Sequence, residues 1–501
     1  MEKNEVLHGR MQSEIMDRAQ PFEIVAEFTL PDYRSEISRL LWVRPTLMPP
    51  ERFIGGGKAE LSGQVLFEVL YTGPDGLPYG TELDGGYTFT VPLEGDTEDL
   101  QLFATPVVDA VISRVTGPRK LSVRCRAHAR VRGYAEKTPE LLQKGAPKDA
   151  TPALLCDTVA VGRVIGGGRE EITLTDTAEI EGDARLICAR GTVLLPDVHA
   201  AEDEVCCRGE VHLTLLFCRE GEDATPFTLS RRIPFEERVA LEGAQSAHRA
   251  CATGTLGRIE CTVEEGRISL SPTLVLCAQV QYEEPLTLCR DIFLPAYTEE
   301  TVMRSEALWR DGGCCNRHFS IVCERPLAEL GLGEDTEIID LFSEAEICDK
   351  GQDGAHFVLS GKLQCHLLCR RGGELCATDA TFPFRLSPEL GGEHLCVDAH
   401  VCDCRISMRG GALRADAELQ LALCNPLPFR ATFVNEVTFT PAPARERADM
   451  ELYYPAPEQT LWDVARRYGI QPEALADANG IACDAPHDAR SLAGKSFLFI
   501  P

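Results

Sequence analysis

Residues 62–71 read Ser-Gly-Gln-Val-Leu-Phe-Glu-Val-Leu-Tyr, a glycine followed by a strongly apolar run. Residues 208–217 read Arg-Gly-Glu-Val-His-Leu-Thr-Leu-Leu-Phe, and residues 360–369 read Ser-Gly-Lys-Leu-Gln-Cys-His-Leu-Leu-Cys. Runs of this length, rich in β-branched and aromatic residues, are typical of β-strands. The recurrence of Gly63, Gly209 and Gly361 therefore predicts three copies of one β-rich unit, each with its glycine at the start of an equivalent strand.

The rest of each unit follows a common order. A proline stands among apolar residues downstream of each glycine, at Pro92, Pro234 and Pro383. Proline has no amide donor, so this element is predicted to be an edge strand or a strand end. Each unit then closes with two alternating strands joined by a Gly-containing turn, as in 123–132, where apolar residues alternate with arginines and a histidine.

Strands of this kind, separated by Gly-rich turns and without long helical periodicity, indicate a mainly β chain of tandem antiparallel sandwiches or open barrels. A length of 501 residues is too long for one core. The sequence predicts this division: a tail at 1–20, repeat 1 at 21–136, a linker at 137–150, repeat 2 at 151–290, repeat 3 with a leading connecting segment at 291–440, a linker at 441–450, and a small βααβ domain at 451–501.

The composition of the chain excludes some classes of binding partner. Hydrophobic and charged contents of 44% and 26% are ordinary for a folded chain. A net charge of −28 argues against nucleic acid and anionic membrane surfaces, since phosphate binding needs clustered Lys and Arg. The sequence has no signal-peptide pattern and no run of 18 apolar residues, so we expect a cytoplasmic protein without membrane insertion.

The 22 cysteines allow three interpretations. Most alternate with polar residues in strand-like segments, where cysteine acts as a small buried hydrophobe, and this favours reduced core thiols. Oxidative cross-linking in an assembly and metal binding are the alternatives. The best metal candidate is the alternating run from His394 to Cys404, taken as six potential ligands on one strand face. Alternate strand residues lie about 6.6 Å apart, too far for several to converge on zinc, so we predict no metal and no cofactor.

The last fifty residues follow a helical pattern. Thr460 stands where a helix N-cap belongs, with Asp463 three residues later. An apolar face then recurs at helical spacing up to Tyr468, and Gly469 ends the helix. Pro472 suits the first turn of a second helix. With short strands at both ends, the predicted order is βααβ, and the aromatic side chains of Trp462 and Tyr468 are expected in the core.

This stretch, Thr460-Leu-Trp-Asp-Val-Ala-Arg-Arg-Tyr-Gly469 followed by 474–481 and 495–501, resembles a LysM domain. LysM domains bind glycans that contain N-acetylglucosamine, such as peptidoglycan, in a groove between the first strand–helix loop and the second helix–strand loop. The resemblance places six residues at this groove: Gln459, Thr460, Leu461, Asn479, Gly480 and Ile481. The family usually has Gly-Asp where this chain has Glu458-Gln459, so both glycan binding and docking of a protein are kept as interpretations.

The repeats also resemble a family. The Leu30-Pro-Asp-Tyr33 entry, the glycine-led strands and the Ile233-Pro-Phe235 element are similar to SPOCS domains. Tandem SPOCS domains followed by a LysM domain are the arrangement of SipL-like spore morphogenetic proteins of endospore-forming Clostridia-type bacteria. The resemblance implies a protein of the mother cell at the forespore surface and spore coat, whose LysM domain docks to the coat-basement ATPase. Self-assembly is a further expected interaction.

No enzyme motif was found. The chain lacks a Gly-x-Ser-x-Gly elbow, a His-Glu-x-x-His pair and a Walker loop, and the glycine runs at 55–58 and 166–169 lack the spacing that phosphate binding requires. We therefore expect a non-enzymatic structural or interaction protein of spore-envelope assembly. The alternative is a peptidoglycan-binding protein, and a LysM-targeted hydrolase is disfavoured because no repeat carries an acid/base or nucleophile constellation.

Overall fold

The computed structural model describes residues 8–93, 99–148, 150–219, 225–354, 356–443, 451–483, 486–488 and 490–501. The chain is mainly β, with antiparallel sheets followed by two short C-terminal helices, as the sequence predicts. The first repeat comprises β1 (Met11–Thr29), β2 (Arg39–Leu47), β3 (Glu51–Gly55), β4 (Lys58–Thr72), β5 (Pro78–Pro92), β6 (Gln101–Gly117) and β7 (Lys120–Lys137). A short strand, β8 (Leu142–Lys144), follows it.

The other two repeats have the same succession of long strands. The second repeat comprises β9 (Ala153–Thr173), β10 (Asp176–Glu179), β11 (Ala184–Ala201), β12 (Glu204–Arg219), β13 (Pro226–Ala240), β14 (Arg249–Glu264) and β15 (Arg267–Phe293). The third comprises β16 (Tyr297–Pro326), a 3-10 turn (Leu327–Leu330), β17 (Glu337–Asp353), β18 (His356–Arg371), β19 (Glu374–Leu386), β20 (Cys396–Arg409) and β21 (Ala412–Pro441). The C-terminal module comprises β22 (Glu451–Tyr453), α1 (Leu461–Tyr468), α2 (Pro472–Asn479) and β23 (Leu498–Ile500).

Each repeat is a sandwich of two antiparallel sheets with one topology. The first sheet joins the first, last and penultimate long strands, in the orders β1-β7-β6, β9-β15-β14 and β16-β21-β20. The second sheet has the orders β2-β4-β5, β11-β12-β13 and β17-β18-β19. Each pair of sheets encloses its own hydrophobic core. The prediction of three copies of one β-fold is confirmed, and the proline-containing elements are edge strands.

The three repeat glycines occupy equivalent places inside their strands. Gly63, Gly209 and Gly361 are each the sixth residue of β4, β12 and β18. The expectation that they open the strand is wrong, because the five preceding residues already pair with a neighbouring strand. A Cβ atom at each position would lie within 3.0 Å of an aromatic ring atom on the adjacent edge strand. The aromatic residues are Tyr87, Phe235 and Phe384.

Gly361→Ala should therefore lower the free energy of unfolding by about 1–3 kcal/mol, the usual cost of overpacking. Its Cβ would meet the Glu346 carbonyl oxygen at 2.5 Å as well as the Phe384 ring. Gly351 on the paired strand β17 is a matched control, because a Cβ there has no atom within 4 Å. Gly351→Ala should leave stability unchanged or raise it by about 0.4–1 kcal/mol. Urea unfolding of both variants checks this, and equal losses would contradict it.

The predicted boundaries differ from the structure in three places. Strand β1 begins at Met11, inside the expected 1–20 tail, and the Gln12 side chain exchanges two hydrogen bonds with the main chain of Val164 in the second repeat. The expected 137–150 linker contains β8, which pairs in parallel with β21. Strand β15 continues past 290 to Phe293. Within the expected 441–450 linker, residues 444–450 lie outside the described residues.

The three sandwiches meet at one buried centre. Leu70, Leu216 and Leu368 each stand seven residues after the repeat glycine, and all three are fully buried in a single cluster. Each lies opposite a β-bulge in the preceding strand of its sheet. The bulge residues Leu41, Ile187 and Ile339 belong to the same cluster. Equivalent residues of all three repeats therefore pack against one another within one chain.

A buried ion network lies beside this cluster. Arg190 of the second sandwich forms ion pairs with Glu68 of the first, at 3.4 Å, and with Asp340 of the third. The side chains of all three are at most 10% exposed. The indole nitrogen of Trp42 donates to the same Glu68 carboxylate at 3.1 Å. One arginine therefore connects the three repeats.

Candidate functional site

The first helix of the C-terminal module begins at a capping box. The Thr460 hydroxyl accepts the Asp463 amide at 3.2 Å, and the Asp463 carboxylate accepts the Thr460 amide at 2.9 Å. The helix ends at Gly469, whose φ of 61° is the left-handed conformation that glycine favours. Pro472 opens α2 and Gly480 ends it. Strands β22 and β23 pair antiparallel, so the predicted βααβ order is confirmed.

The first predicted rim of the groove comprises Gln459, Thr460 and Leu461. The Gln459 side-chain oxygen accepts from the Tyr453 hydroxyl at 2.7 Å and from the Ala456 amide at 2.9 Å. The Leu461 side chain is fully buried in the module. Thr460 caps the helix. All three residues thus stabilise the local fold. The side-chain oxygens of Gln459 and Thr460 already accept hydrogen bonds within the module.

The second predicted rim comprises Asn479, Gly480 and Ile481. The Asn479 amide nitrogen donates to the Leu475 and Phe499 carbonyls, and its oxygen accepts the Phe499 amide at 2.6 Å. Asn479 therefore joins the end of α2 to β23. The Ile481 side chain is half-buried against the module core. Of these three residues, Ile481 offers apolar surface to a ligand, whereas the Asn479 side-chain amide is engaged within the chain.

The loop after Ile481 packs against the start of α1, a contact that the sequence did not predict. The first two main-chain amides of α1 donate to this loop: that of Leu461 to the Ser491 hydroxyl at 3.0 Å, and that of Trp462 to the Pro486 carbonyl at 2.9 Å. The unbonded amides of a helix N-terminus commonly bind polar ligands. Here the chain itself satisfies them. Residues 484, 485 and 489 of this loop lie outside the described residues.

Lys495 is a further residue at the site that sequence reasoning missed. Its ammonium group donates to the Asn479 carbonyl oxygen at 2.6 Å. This places a positive charge at the second rim. The one available signal was a lysine just before the last strand, in the segment 495–501 that carries the family resemblance.

The module packs against the second sandwich through α1. Trp462 is buried, its ring meets Phe293 edge-on at 5.0 Å between centroids, and its indole donates to Asp291 at 2.8 Å. Arg466 pairs with Asp291 and with Glu299. Trp462 is thus a core residue, as predicted, but the core is shared. The linker predicted at 441–450 implies two independent cores, and this implication is wrong, because Phe293 lies in the same apolar cluster as the helices.

The run from His394 to Cys404, considered as a metal candidate and rejected from the sequence, does not lie on one strand face. Strand β20 carries a bulge between Val401 and Asp403. The extra residue shifts the alternation of side chains by one position, so residues after the bulge face the opposite side of the sheet from the one that regular alternation would give. Cys404 consequently packs in the core of the third sandwich, while Cys396 lies at the junction between repeats. Among the described residues, no three His, Cys, Asp or Glu side chains are arranged to hold a metal ion.

Most cysteines of the second and third repeats are buried or half-buried. Burial raises the pKa of Cys207 and of Cys402 to about 12, which favours the neutral thiol at physiological pH. Cys402 comes from the run that was considered as a metal candidate, and its burial agrees with a packing role.

Two helices packed on a two-stranded sheet, with two loops meeting at one end, define a small binding module. Residues 456–487 match the family model of the LysM domain, so the chain contains a LysM domain that includes α1, α2 and all six predicted groove residues. No curated protein matches the chain, and no solved structure matches it. In the described part of the chain no helix is long and apolar enough to cross a membrane. The LysM domain supports glycan binding or an interaction role.

Proposed function

We propose that this chain is a non-enzymatic assembly protein: three sandwiches form a rigid scaffold that holds a LysM domain for docking to another protein. The observation that carries the proposal is the internal use of polar groups at the groove. Gln459, Asn479 and the first two α1 amides all bond within the chain. A glycan needs such groups for its hydroxyl and acetamido substituents, whereas a protein surface can use the apolar rim at Ile481.

The biological setting rests on the sequence resemblance. SPOCS-like repeats followed by a LysM domain suggest spore-envelope assembly, with the protein in the mother cell at the forespore surface. The proposed partner is the coat-basement ATPase-type morphogenetic protein. The contact between Trp462 and Phe293 supports this role, because it holds the domain at a defined place on the scaffold. A rigidly held domain loses less conformational freedom on binding.

Ile481→Asp should weaken binding to a purified coat-basement ATPase-type protein by at least about 10-fold, because the new carboxylate must be desolvated at an apolar rim. Ile481→Leu is the matched control and should bind as the parent does. Gln459→Ala is a poor probe, since Gln459 supports the fold of the rim. Binding of the full-length chain is measured by titration calorimetry, with thermal melting to establish that both variants are folded.

The second candidate function is peptidoglycan binding, which the family match supports directly. Cosedimentation of the full-length parent with purified peptidoglycan separates the two. Weak cosedimentation is expected under the docking proposal. If the parent binds peptidoglycan tightly, binds no coat protein, and loses the glycan on Ile481→Asp, the docking proposal is wrong and glycan binding replaces it.

A further inference from the structure

Two cysteines lie opposite each other close to the LysM domain. Cys156 on β9 and Cys289 on β15 are direct partners in the antiparallel register. Cys289 is fully buried, Cys156 is half-buried, and both are free thiols. The two side chains are close enough to share a hydrogen bond. Both belong to an apolar cluster that includes Phe439 of the third sandwich, so they lie in a packed contact between sandwiches.

The adjoining ends of β9 and β15 hold the LysM domain. Ala153 and Phe293 are opposite each other, and both belong to the core of that domain. The Asp291 carboxylate accepts from the Trp462 indole nitrogen at 2.8 Å. The main-chain carbonyl of the same Asp291 accepts from the Cys289 thiol at 3.3 Å. The cysteine pair therefore adjoins the residues that contact the domain.

Other opposed cysteines differ from this pair. Cys369 and Cys376 face each other across β18 and β19, but a short turn already joins them, so a bond there would add little constraint. Cys424 lies opposite both Cys314 and Cys396. These three are all buried, and thiol oxidation requires access for the oxidant. The pair on β9 and β15 combines a partly exposed thiol with a partner that is far away in the chain.

We propose that Cys156 and Cys289 form a modification site, at which a small peroxide oxidises the pair to a disulfide that ties β9 to β15 beside the LysM domain. Opposite residues of antiparallel strands have Cα atoms about 4.5–5.5 Å apart, within the range that a disulfide spans. Because the bond closes a long loop, it restrains the open states in which the two strand ends separate. The site lies in the scaffold and does not depend on which partner the LysM domain binds.

The chemistry balances with hydrogen peroxide as the oxidant. Peroxide reaches Cys156 first, because it is the more exposed of the two thiols. The Cys156 sulfur loses its proton and attacks one peroxide oxygen, the O–O bond breaks, and the leaving hydroxide takes up that proton to become water. Cys156 is then a sulfenic acid. The Cys289 sulfur attacks it, the S–OH bond breaks, and the thiol proton leaves with the hydroxyl group as a second water. The two thiols lose two electrons and the peroxide gains them.

The mapping test uses the full-length chain. The reduced protein is treated with hydrogen peroxide at about pH 8.5, where about half of an ordinary thiol is thiolate. The remaining thiols are blocked, and disulfides are mapped by mass spectrometry. We expect a peptide pair that joins Cys156 to Cys289, and both dithiothreitol and the Cys156→Ser substitution should abolish it. Cys348→Ser is the matched control, because Cys348 is exposed at a bulge of β17, and it should leave the yield unchanged.

Hydrogen exchange of the parent protein needs no variant and reports the effect on the strand ends. Peptides that cover 153–156 and 289–293 should exchange at least about 3-fold more slowly in the oxidised than in the reduced protein, since the bond restrains local opening. A peptide of β4, in the first sandwich, should be unchanged. The proposal is overturned if Cys289 stays a free thiol after treatment, if Cys156 pairs with another cysteine, or if the disulfide leaves the exchange rates unchanged.

Discussion

Arg190→Met should lower the free energy of unfolding by about 3–5 kcal/mol, the cost of breaking a buried ion pair from one side. The substitution keeps an unbranched apolar stem but removes the guanidinium group, and it leaves Glu68 and Asp340 buried without a counter-charge. Because these carboxylates come from the first and third sandwiches, their repulsion acts on the contact between repeats. Urea unfolding and the hydrodynamic radius should both report a looser junction.

Two controls separate charge from packing in this prediction. A triple variant, Arg190→Met with Glu68→Gln and Asp340→Asn, removes all three charges and should regain most of the lost stability. Arg208→Ala breaks the Arg208–Glu236 pair, whose side chains are 62% and 67% exposed, and should cost less than about 1 kcal/mol. If the triple variant is as unstable as Arg190→Met, unpaired charge is not the cause.

Trp462→Ala should lower the free energy of unfolding of the LysM domain by about 3–5 kcal/mol, as expected for a large buried aromatic side chain. It removes the ring contact with Phe293 and leaves Asp291 without the indole donor. We expect the domain to separate from the scaffold and to unfold at a lower temperature than the sandwiches. Calorimetry should resolve a second, earlier transition, and limited proteolysis should release the domain.

Tyr454→Ala is the matched control for Trp462→Ala. Tyr454 is also an aromatic residue of the module, but it is 69% exposed, so its removal should change stability by less than about 0.5 kcal/mol.

Deletion of 453–501 should destabilise the second sandwich, because the side chains of Phe293 and Ala153 would become exposed. A deletion variant as stable as the parent would contradict a shared core.

The binding groove could be predicted from the sequence only in part. Both helices could be predicted, because helix capping depends on a few neighbouring residues: Thr460, Asp463, Gly469 and Gly480. The hydrogen-bond partners of the groove residues could not be predicted in this way. The Ser491 hydroxyl accepts from the Leu461 amide thirty residues away, and that contact depends on how the intervening loop folds.

The need for tertiary contacts also explains why the residues of the metal candidate, His394 to Cys404, do not share one strand face. Period-two alternation from His394 to Cys404 predicts one face only if the strand is regular. The bulge between Val401 and Asp403 breaks that regularity, and a bulge depends on pairing with a partner strand rather than on local sequence. It moves Cys404 into the sandwich core, where it packs as a small apolar residue.

The amino-acid sequence by itself determined the three β-rich repeats, the edge strands at their prolines, and the two capped helices of the C-terminal domain. These features depend on alternation, proline chemistry and capping, which act over a few residues. Only the tertiary structure decided that the repeats close around Leu70, Leu216 and Leu368, that Trp462 docks on Phe293, and that Arg190 meets Glu68 and Asp340. These contacts join residues far apart in the chain, and their energy depends on burial and on counter-charges that packing alone creates.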